Sequence, residues 1–408
     1  MYLASIVAVA LVVMALAPAA VSGQQMQEQS FDRFVVETSQ QGPDMEQLMQ
    51  EAEQLGLFAE LNYTEGQPSM VEGMFVNFTI DQQQGMISNY SVQSGDQMAT
   101  LFMDMTIQGF QPEELTTNGP IFYANGTDAM LAVHNNPTGA MHLKNAGQQN
   151  VSSMFNLSEG VQIEVMSQQA PYVVRLTGEN VNGLLYISEG SAQVMQQDGG
   201  GGIIEDIQNL FGMGGEQQAS GLNVSLAPDA DMALWTVPSY GQQLSQEQQT
   251  QLLDQVAQAF ANQSMAAGVW AIAREGSIAY SVAPYMPVQL EIQAMQDGGM
   301  MMNVSQLNMS GIIALATDNQ SLGLMDGQLS VMMGQENLQE AQSFDELVSS
   351  AAQGDVMQGM YFMNTTGEVT QLYILLPQSQ QAQSLTISSG GGQQMMGNQT
   401  QGNQTQMS

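Results

Sequence analysis

The sequence predicts an α+β fold: mainly antiparallel β-sheet, as a sandwich or half-barrel, with a few amphipathic helices packed on it. Three observations carry that expectation. Apolar and polar residues alternate through most of the chain, the mark of half-buried strands. Segments with helical spacing are few. Helix, glycine, aromatic strand and turn also recur three times in that order, the pattern of an internal repeat of helix plus β-hairpin.

In chain order, a strand is expected at 31–38. The first amphipathic helix follows at 44–57, with Met45, Leu48, Met49, Ala52 and Leu55 on one side and Gly56 near its end. Met74, Val76, Phe78 and Ile80 then point one way, and Phe75, Asn77 and Thr79 the other. Leu101, Met103, Met105 and Ile107 repeat the alternation. The centre is strand-rich, with short strands at 161–165, 172–176 and 184–187. An apolar-faced segment at 203–211, set between glycine runs, reads as a short helix.

A capping-box pattern at Ser245-Gln246-Glu247-Gln248 opens the second long helix, whose stripe is Leu252, Leu253, Val256 and Phe260. Two strands between 288 and 309 meet at Asp297-Gly298-Gly299, a hairpin signal. A third helix starts near Ser343, with Glu346 three residues on. The repeat-like segments are 70–77, 264–271 and 357–364, followed by strands bearing Tyr90, Tyr280 and Tyr373. These features divide the chain into a signal peptide (1–23), an N-terminal α+β unit (24–117) and a central β-rich region (118–240). A C-terminal α+β region with two repeat-like units (241–389) and a disordered Gln/Asn/Gly-rich tail (390–408) complete it.

The charge narrows the function. There are 39 acids against 4 bases, a formal net charge of -35. An average chain of this length carries roughly 50 of each sign, so the chain lacks bases rather than being loaded with acids. Phosphate contacts need Lys and Arg, which excludes nucleic acid as a partner. With no cysteine, disulfides and thiolate chemistry are absent.

The first 20 residues are nearly all apolar, with Pro18 breaking the run and small residues at 21–23, as in an export signal. Left uncleaved, the same run is long enough for an N-terminal membrane anchor. Fourteen Asn-x-Ser/Thr sequons follow, at Asn62, Asn77, Asn89, Asn125, Asn150, Asn156, Asn223, Asn262, Asn303, Asn308, Asn319, Asn364, Asn398 and Asn403. Chance placement of 22 asparagines gives roughly three, so the enrichment points to covalent N-glycans and a secreted or extracellular-surface location. The composition resembles that of cysteine-free extracellular glycoproteins, a likeness that assigns no residue a role.

Catalytic signatures are thin. No nucleophile elbow, phosphate loop or zinc-protease motif is present. His134 and His142 flank the turn Asn135-Asn136-Pro137, which makes them candidates to share a metal with Asp128. The acid pairs Glu113-Glu114, Glu205-Asp206 and Asp229/Asp231 offer carboxylates for a polysaccharide hydrolase. Asp229, Asp231 and Asp318 are weak candidates for loosely bound Ca²⁺. Met300-Met301-Met302, Met309, Met332-Met333 and Met395-Met396 most simply fill a core, with Cu(I) ligation or the lining of an apolar cavity for a lipid-like ligand as alternatives.

The expected function is therefore a secreted or cell-surface structural glycoprotein without catalytic activity, associating with envelope components or with itself. An extracellular binding protein for an apolar ligand is the alternative, and a hydrolase the third reading. A surface held by amides and sugars loses little when its carboxylates are neutralised. Circular dichroism is accordingly expected to show retained folding well below pH 4, with no cooperative unfolding on mild acidification.

Overall fold

A computed structural model describes residues 31–389, apart from 41, 95–96, 168, 197–202, 207–216, 237–245, 297, 325–328 and 355. The export segment and the tail therefore lie outside the described residues. The described chain is mostly strand, in several antiparallel sheets, with three helices.

Strand β1 (Arg33–Glu37) leads to helix α1 (Met45–Gln54). The Asp44 side chain accepts from the Gln47 N–H as N-cap, and Gly56 leaves the helix at φ 69°. Leu48, Met49 and Ala52 are the buried stripe.

The chain then builds a closed barrel of two facing sheets from β2 (Asn62–Thr64), β3 (Ser69–Glu72), β4 (Val76–Asp81), β5 (Met86–Ser94), β6 (Gln97–Ile107), β7 (Glu114–Asn118), β8 (Ile121–Asn125), β9 (Ala129–His134), β10 (Met141–Asn145), β11 (Val151–Leu157), β12 (Gln162–Val165), β13 (Tyr172–Thr177), β14 (Asn182–Ile187), β15 (Gly190–Gln196), β16 (Ile203–Asp206), β17 (Gln217–Leu226) and β18 (Asp231–Thr236). Strand β17 joins the two sheets, pairing with β11 and β15 on one side and β12 on the other.

Two expectations change here. Residues 203–206 form a strand paired with β15 rather than the start of a helix, because ladder bonds along β15 outweigh a weak helical pattern; 207–211 lie outside the described residues. The inward alternation also slips. Met74 and Met103 are exposed, while Phe75 and Phe102 are buried. Residues 73–75 form a turn before β4, and a bulge shifts the β5–β6 register between Tyr90 and Ser91.

The barrel interior is filled by a continuous series of rings. Tyr63 meets Phe122, Phe122 meets Phe78, Phe78 meets Tyr90, and Tyr90 stacks on Phe102 at 4.8 Å. Phe102 in turn meets Phe155 edge-on at 5.4 Å. Such rings combine area burial with favourable quadrupole geometry.

Helix α2 (Gln246–Ala261) follows, then β19 (Met265–Arg274) and β20 (Ser277–Pro284), joined by a turn in which Glu275 and Gly276 both have positive φ. The rest comprises β21 (Gln289–Ala294), β22 (Met300–Ser305), β23 (Gly311–Asp318), β24 (Leu329–Met333), β25 (Glu336–Asn337), β26 (Gln339–Glu340), α3 (Phe344–Ala352), β27 (Met360–Thr366), β28 (Val369–Leu376) and β29 (Gln383–Ser389). Ser343 caps α3 by accepting from the Glu346 N–H.

A seven-stranded sheet runs β1-β20-β19-β23-β28-β27-β26, and a five-stranded sheet runs β21-β22-β29-β24-β25. Their facing sides share one core, with Val269, Leu315 and Ile374 against Ile292, Met302 and Leu385. The other face of the seven-stranded sheet packs on the three helices, and α2 also touches the outside of the barrel at Val173, Leu184 and Tyr186. The succession is thus sheet, sheet, helices, barrel. Both faces of β19 are covered, which is why its residues 265–273 are all buried and do not alternate.

Helices α2 and α3 each precede a hairpin of the seven-stranded sheet. The hairpin β4–β5, first in the repeat pattern, belongs to the barrel instead.

Truncating Phe102 to Ala removes the ring between Tyr90 and Phe155. The expected cost is about 3–5 kcal/mol, read as a lower midpoint in denaturant unfolding.

Candidate functional site

The chain's two histidines meet at one buried carboxylate. Asp32 stands just before β1, whose pairing with β20 sets Phe34 opposite Ser281. His134 ends β9 and His142 lies on the adjacent antiparallel β10. Asp32 Oδ1 accepts from His134 Nε2 at 2.5 Å, and Oδ2 accepts from His142 Nδ1 at 2.9 Å. His134 Nδ1 lies 2.9 Å from Ser281 Oγ. Asp32, His134 and His142 are 4%, 0% and 5% exposed.

Burial alone would raise the Asp32 carboxyl. The two imidazoles outweigh it and hold the group well below the usual carboxylate range. Burial likewise opposes the His142 imidazolium, but Asp32, by charge and hydrogen bond, leaves its pKa raised above the ordinary 6.5. The site is an ion pair made with imidazole in place of the missing bases. Trp270 lies over His134 with ring centroids 5.7 Å apart, and Tyr285 meets His142 edge-on at 5.1 Å. His142 Nε2 and Tyr285 Oη are buried without a hydrogen-bond partner among the described residues.

Ser281, His134 and Asp32 form a hydroxyl–imidazole–carboxylate series, an order that activates a nucleophile where a substrate can reach the hydroxyl. Ser281 is 1% exposed. Through these hydrogen bonds the series links the seven-stranded sheet to the barrel.

The histidines thus come together across β9–β10 as their spacing suggests, but with Asp32 rather than Asp128. Asp128 is exposed, and its carbonyl accepts from Ala146 and Gly147 N–H. Asp32 is about a hundred residues away in sequence; no local pattern signals it.

Among the described residues no group of three His, Asp or Glu side chains is arranged to hold a metal. Asp229 is exposed, in a left-handed conformation at φ 61°. Asp231 stands opposite Lys144 on β10, and burial pushes its carboxyl up against the pull of Lys144 and His142. Asp318 is buried, its oxygens taken by Arg274, the Ser321 hydroxyl and the N–H groups of Gln320 and Ser321. Glu113 and Glu114 are both exposed. Met300 and Met302 are core residues between the two stacked sheets, and Met309 is exposed.

Of the sequon asparagines, Asn398 and Asn403 lie outside the described residues. The twelve others divide into seven exposed (Asn62, Asn89, Asn150, Asn156, Asn262, Asn308, Asn364) and five half-buried (Asn77, Asn125, Asn223, Asn303, Asn319). None is buried. The buried asparagines Asn135, Asn136 and Asn145 all lie outside sequons, and Asn136-Pro137-Thr138 misses being one only through its proline. These three serve the fold. Asn135 accepts from Phe75 and Val76 N–H and donates to the carbonyls of Ala59 and Glu60. Asn145 donates to the carbonyls of Gln149, Leu226 and Ala227.

No protein-family model matches the chain, and a search of curated proteins finds no significant match. No described helix is long and apolar enough to cross a membrane.

The Asp32 cluster sets a pH dependence. A raised His142 pKa gives stability that is complete below 6.5 and is lost as pH rises through the raised value. A lowered Asp32 pKa gives stability that is present above 3.8 and is lost only as pH falls far below it. The Tm in thermal denaturation is therefore expected to be highest between about pH 4 and 6 and to fall on the alkaline side. Asp32→Asn is expected to abolish the alkaline slope and to cost about 3–5 kcal/mol.

Proposed function

We propose that this chain is an exported, N-glycosylated structural protein of a cell surface or envelope, without a catalytic role. One observation carries the reading: none of the twelve described sequon asparagines is buried and seven are exposed, while the buried asparagines stand outside sequons. An oligosaccharide on Asn is bulky and hydrated, so it tolerates only a solvent-facing site. Its acceptors lie on the barrel, on both stacked sheets and after α2, so glycans would coat the protein on several sides.

The partners that fit are envelope components or further copies of the chain, met through amide, hydroxyl and carboxylate groups. Loosely held Ca²⁺ bridging exposed acids such as Asp229 is compatible with this surface. The two helix–hairpin units of the seven-stranded sheet are read as duplicates of one ancestral unit, with the first copy absorbed into the barrel.

The hydrolase reading is less favoured, because the Ser281–His134–Asp32 series is closed to substrate. A lipid carrier with a methionine-lined cavity is also less favoured, since the barrel interior is occupied by aromatic rings and Met300 and Met302 are packed core.

The test is the mass of the mature protein from its native source, before and after enzymatic removal of N-glycans. The expected result is a chain starting near residue 24 with several glycans, occupied first at the seven exposed acceptors. An unglycosylated mass beginning at Met1 overturns both the export and the glycoprotein reading.

A further inference from the structure

A polar groove opens at one end of the barrel, between the loop after β6, the β8–β9 loop and the entry to β11. Its volume is about 760 Å³, in the range of ordinary ligand sites. Its walls are held by the fold itself. Gln108 N–H donates to the Ser152 carbonyl at 2.8 Å, and Glu113 N–H to the Asn125 carbonyl at 2.8 Å. The buried Asn145 side chain donates to the Gln149 carbonyl, also at 2.8 Å. Buried Phe110, Ala129 and Val151 close the base.

Amides and carboxylates make up the polar lining. Gln108, Gln111 and Gln149 are exposed, and their side-chain amides make no hydrogen bond among the described residues. Glu113 and Asp128 add carboxylates, and no Lys, Arg or His among the described residues lines the groove. An anion would meet two carboxylates and no counter-charge. A neutral polyol suits the whole set, since its hydroxyls donate to carboxylate and amide oxygens and accept from amide N–H.

Two sequons frame the groove. Thr127 ends one and Ser152 ends the other, and both line it, as does Asn150 itself. Asn150 is exposed, and its Nδ2 lies 3.4 Å from Ser225 Oγ. That nitrogen carries two hydrogens, so one stays available to Ser225 when a sugar replaces the other. Asn125, the acceptor of the first sequon, is half-buried, with its Oδ1 enclosed and unpartnered among the described residues. Asn150 is thus the accessible acceptor at the rim.

We infer that this groove seats the inner, neutral sugar residues of a glycan carried by Asn150. The inference rests on the glycoprotein reading and adds that this glycan is packed on the protein rather than free in solvent. Open polar contacts give a free sugar little affinity, because water competes for each of them. A covalent tether changes the balance. It holds the sugar at an effective concentration on the order of millimolar, so weak contacts suffice.

The test treats the full chain from its native source, folded and unfolded, with an amidase that releases N-glycans. Release is followed at each acceptor by mass spectrometry. The enzyme reaches only the unseated fraction, so the Asn150 glycan is expected to leave the folded chain about tenfold more slowly than glycans on the exposed Asn62, Asn262 and Asn364. In the unfolded chain all are expected to leave at equal rates. Gln108→Ala combined with Gln111→Ala is expected to bring the Asn150 rate up to the others. Gln148→Ala, beside the sequon but outside the groove lining, is expected to leave it slow. Circular dichroism checks that each variant folds, and Gln111→Ala alone decides the matter if the double variant does not. Four results overturn the inference while leaving the glycoprotein reading in place: no glycan on Asn150, a folded-state rate equal to the other three, a slow rate that persists on unfolding, or a rate unmoved by the groove substitutions. A chain with no glycan at any site overturns both.

Discussion

The carboxylate of Asp32 is ionised in a place water does not reach, and much of the architecture answers that fact. An isolated charge in a protein interior is costly unless it is paired and hydrogen-bonded. In a chain with four bases, the two imidazoles serve instead, each hydrogen-bonded to one carboxylate oxygen. Because Asp32 precedes β1 and the histidines belong to β9 and β10, satisfying the charge places the edge of the seven-stranded sheet against the barrel. His134 extends the link to Ser281 of β20. A pairing of this kind adds little net stability compared with a packed apolar contact, but it fixes which surfaces meet.

Two of the four bases work in the same way. Arg274 at the end of β19 contacts Glu51 of α1 and Asp318 of β23. Arg175 of β13 contacts Glu164 on its neighbouring strand and Asp254 of α2, joining that helix to the barrel. Through Asp254, Glu51 and Asp318 these two arginines join elements far apart in sequence. The general surface is left to amides, hydroxyls and carboxylates.

Asparagine is likewise divided between two tasks. Where its amide is enclosed, as at Asn135 and Asn145, it replaces backbone partners that loops lack. In the described sequons it is exposed or half-buried. Methionine divides similarly, between packed positions such as Met300 and Met302 and exposed ones such as Met103 and Met154.

Local chemistry alone determined the β-rich α+β class, the helix starts at Asp44 and Ser343, and the hairpin around Gly298-Gly299. Capping, turn geometry and two-residue alternation act over a few residues, so they can be read from a few residues. Register slips were not legible at Met74 and Met103, because a bulge depends on the partner strand. The strand at 203–206 was hidden for the same reason. Asp32 looked like any acid near a strand. Its role arose only when pairing along β1 brought it to two imidazoles a hundred residues on. The contacts of Trp270 with His134 and of Tyr285 with His142 and Phe260 were equally invisible, since these residues come from separate sheets and a helix. Composition thus determined what the surface is made of. Tertiary structure decided which of the few charges and rings would be shut away together, because burial belongs to the assembled layers and to no single segment.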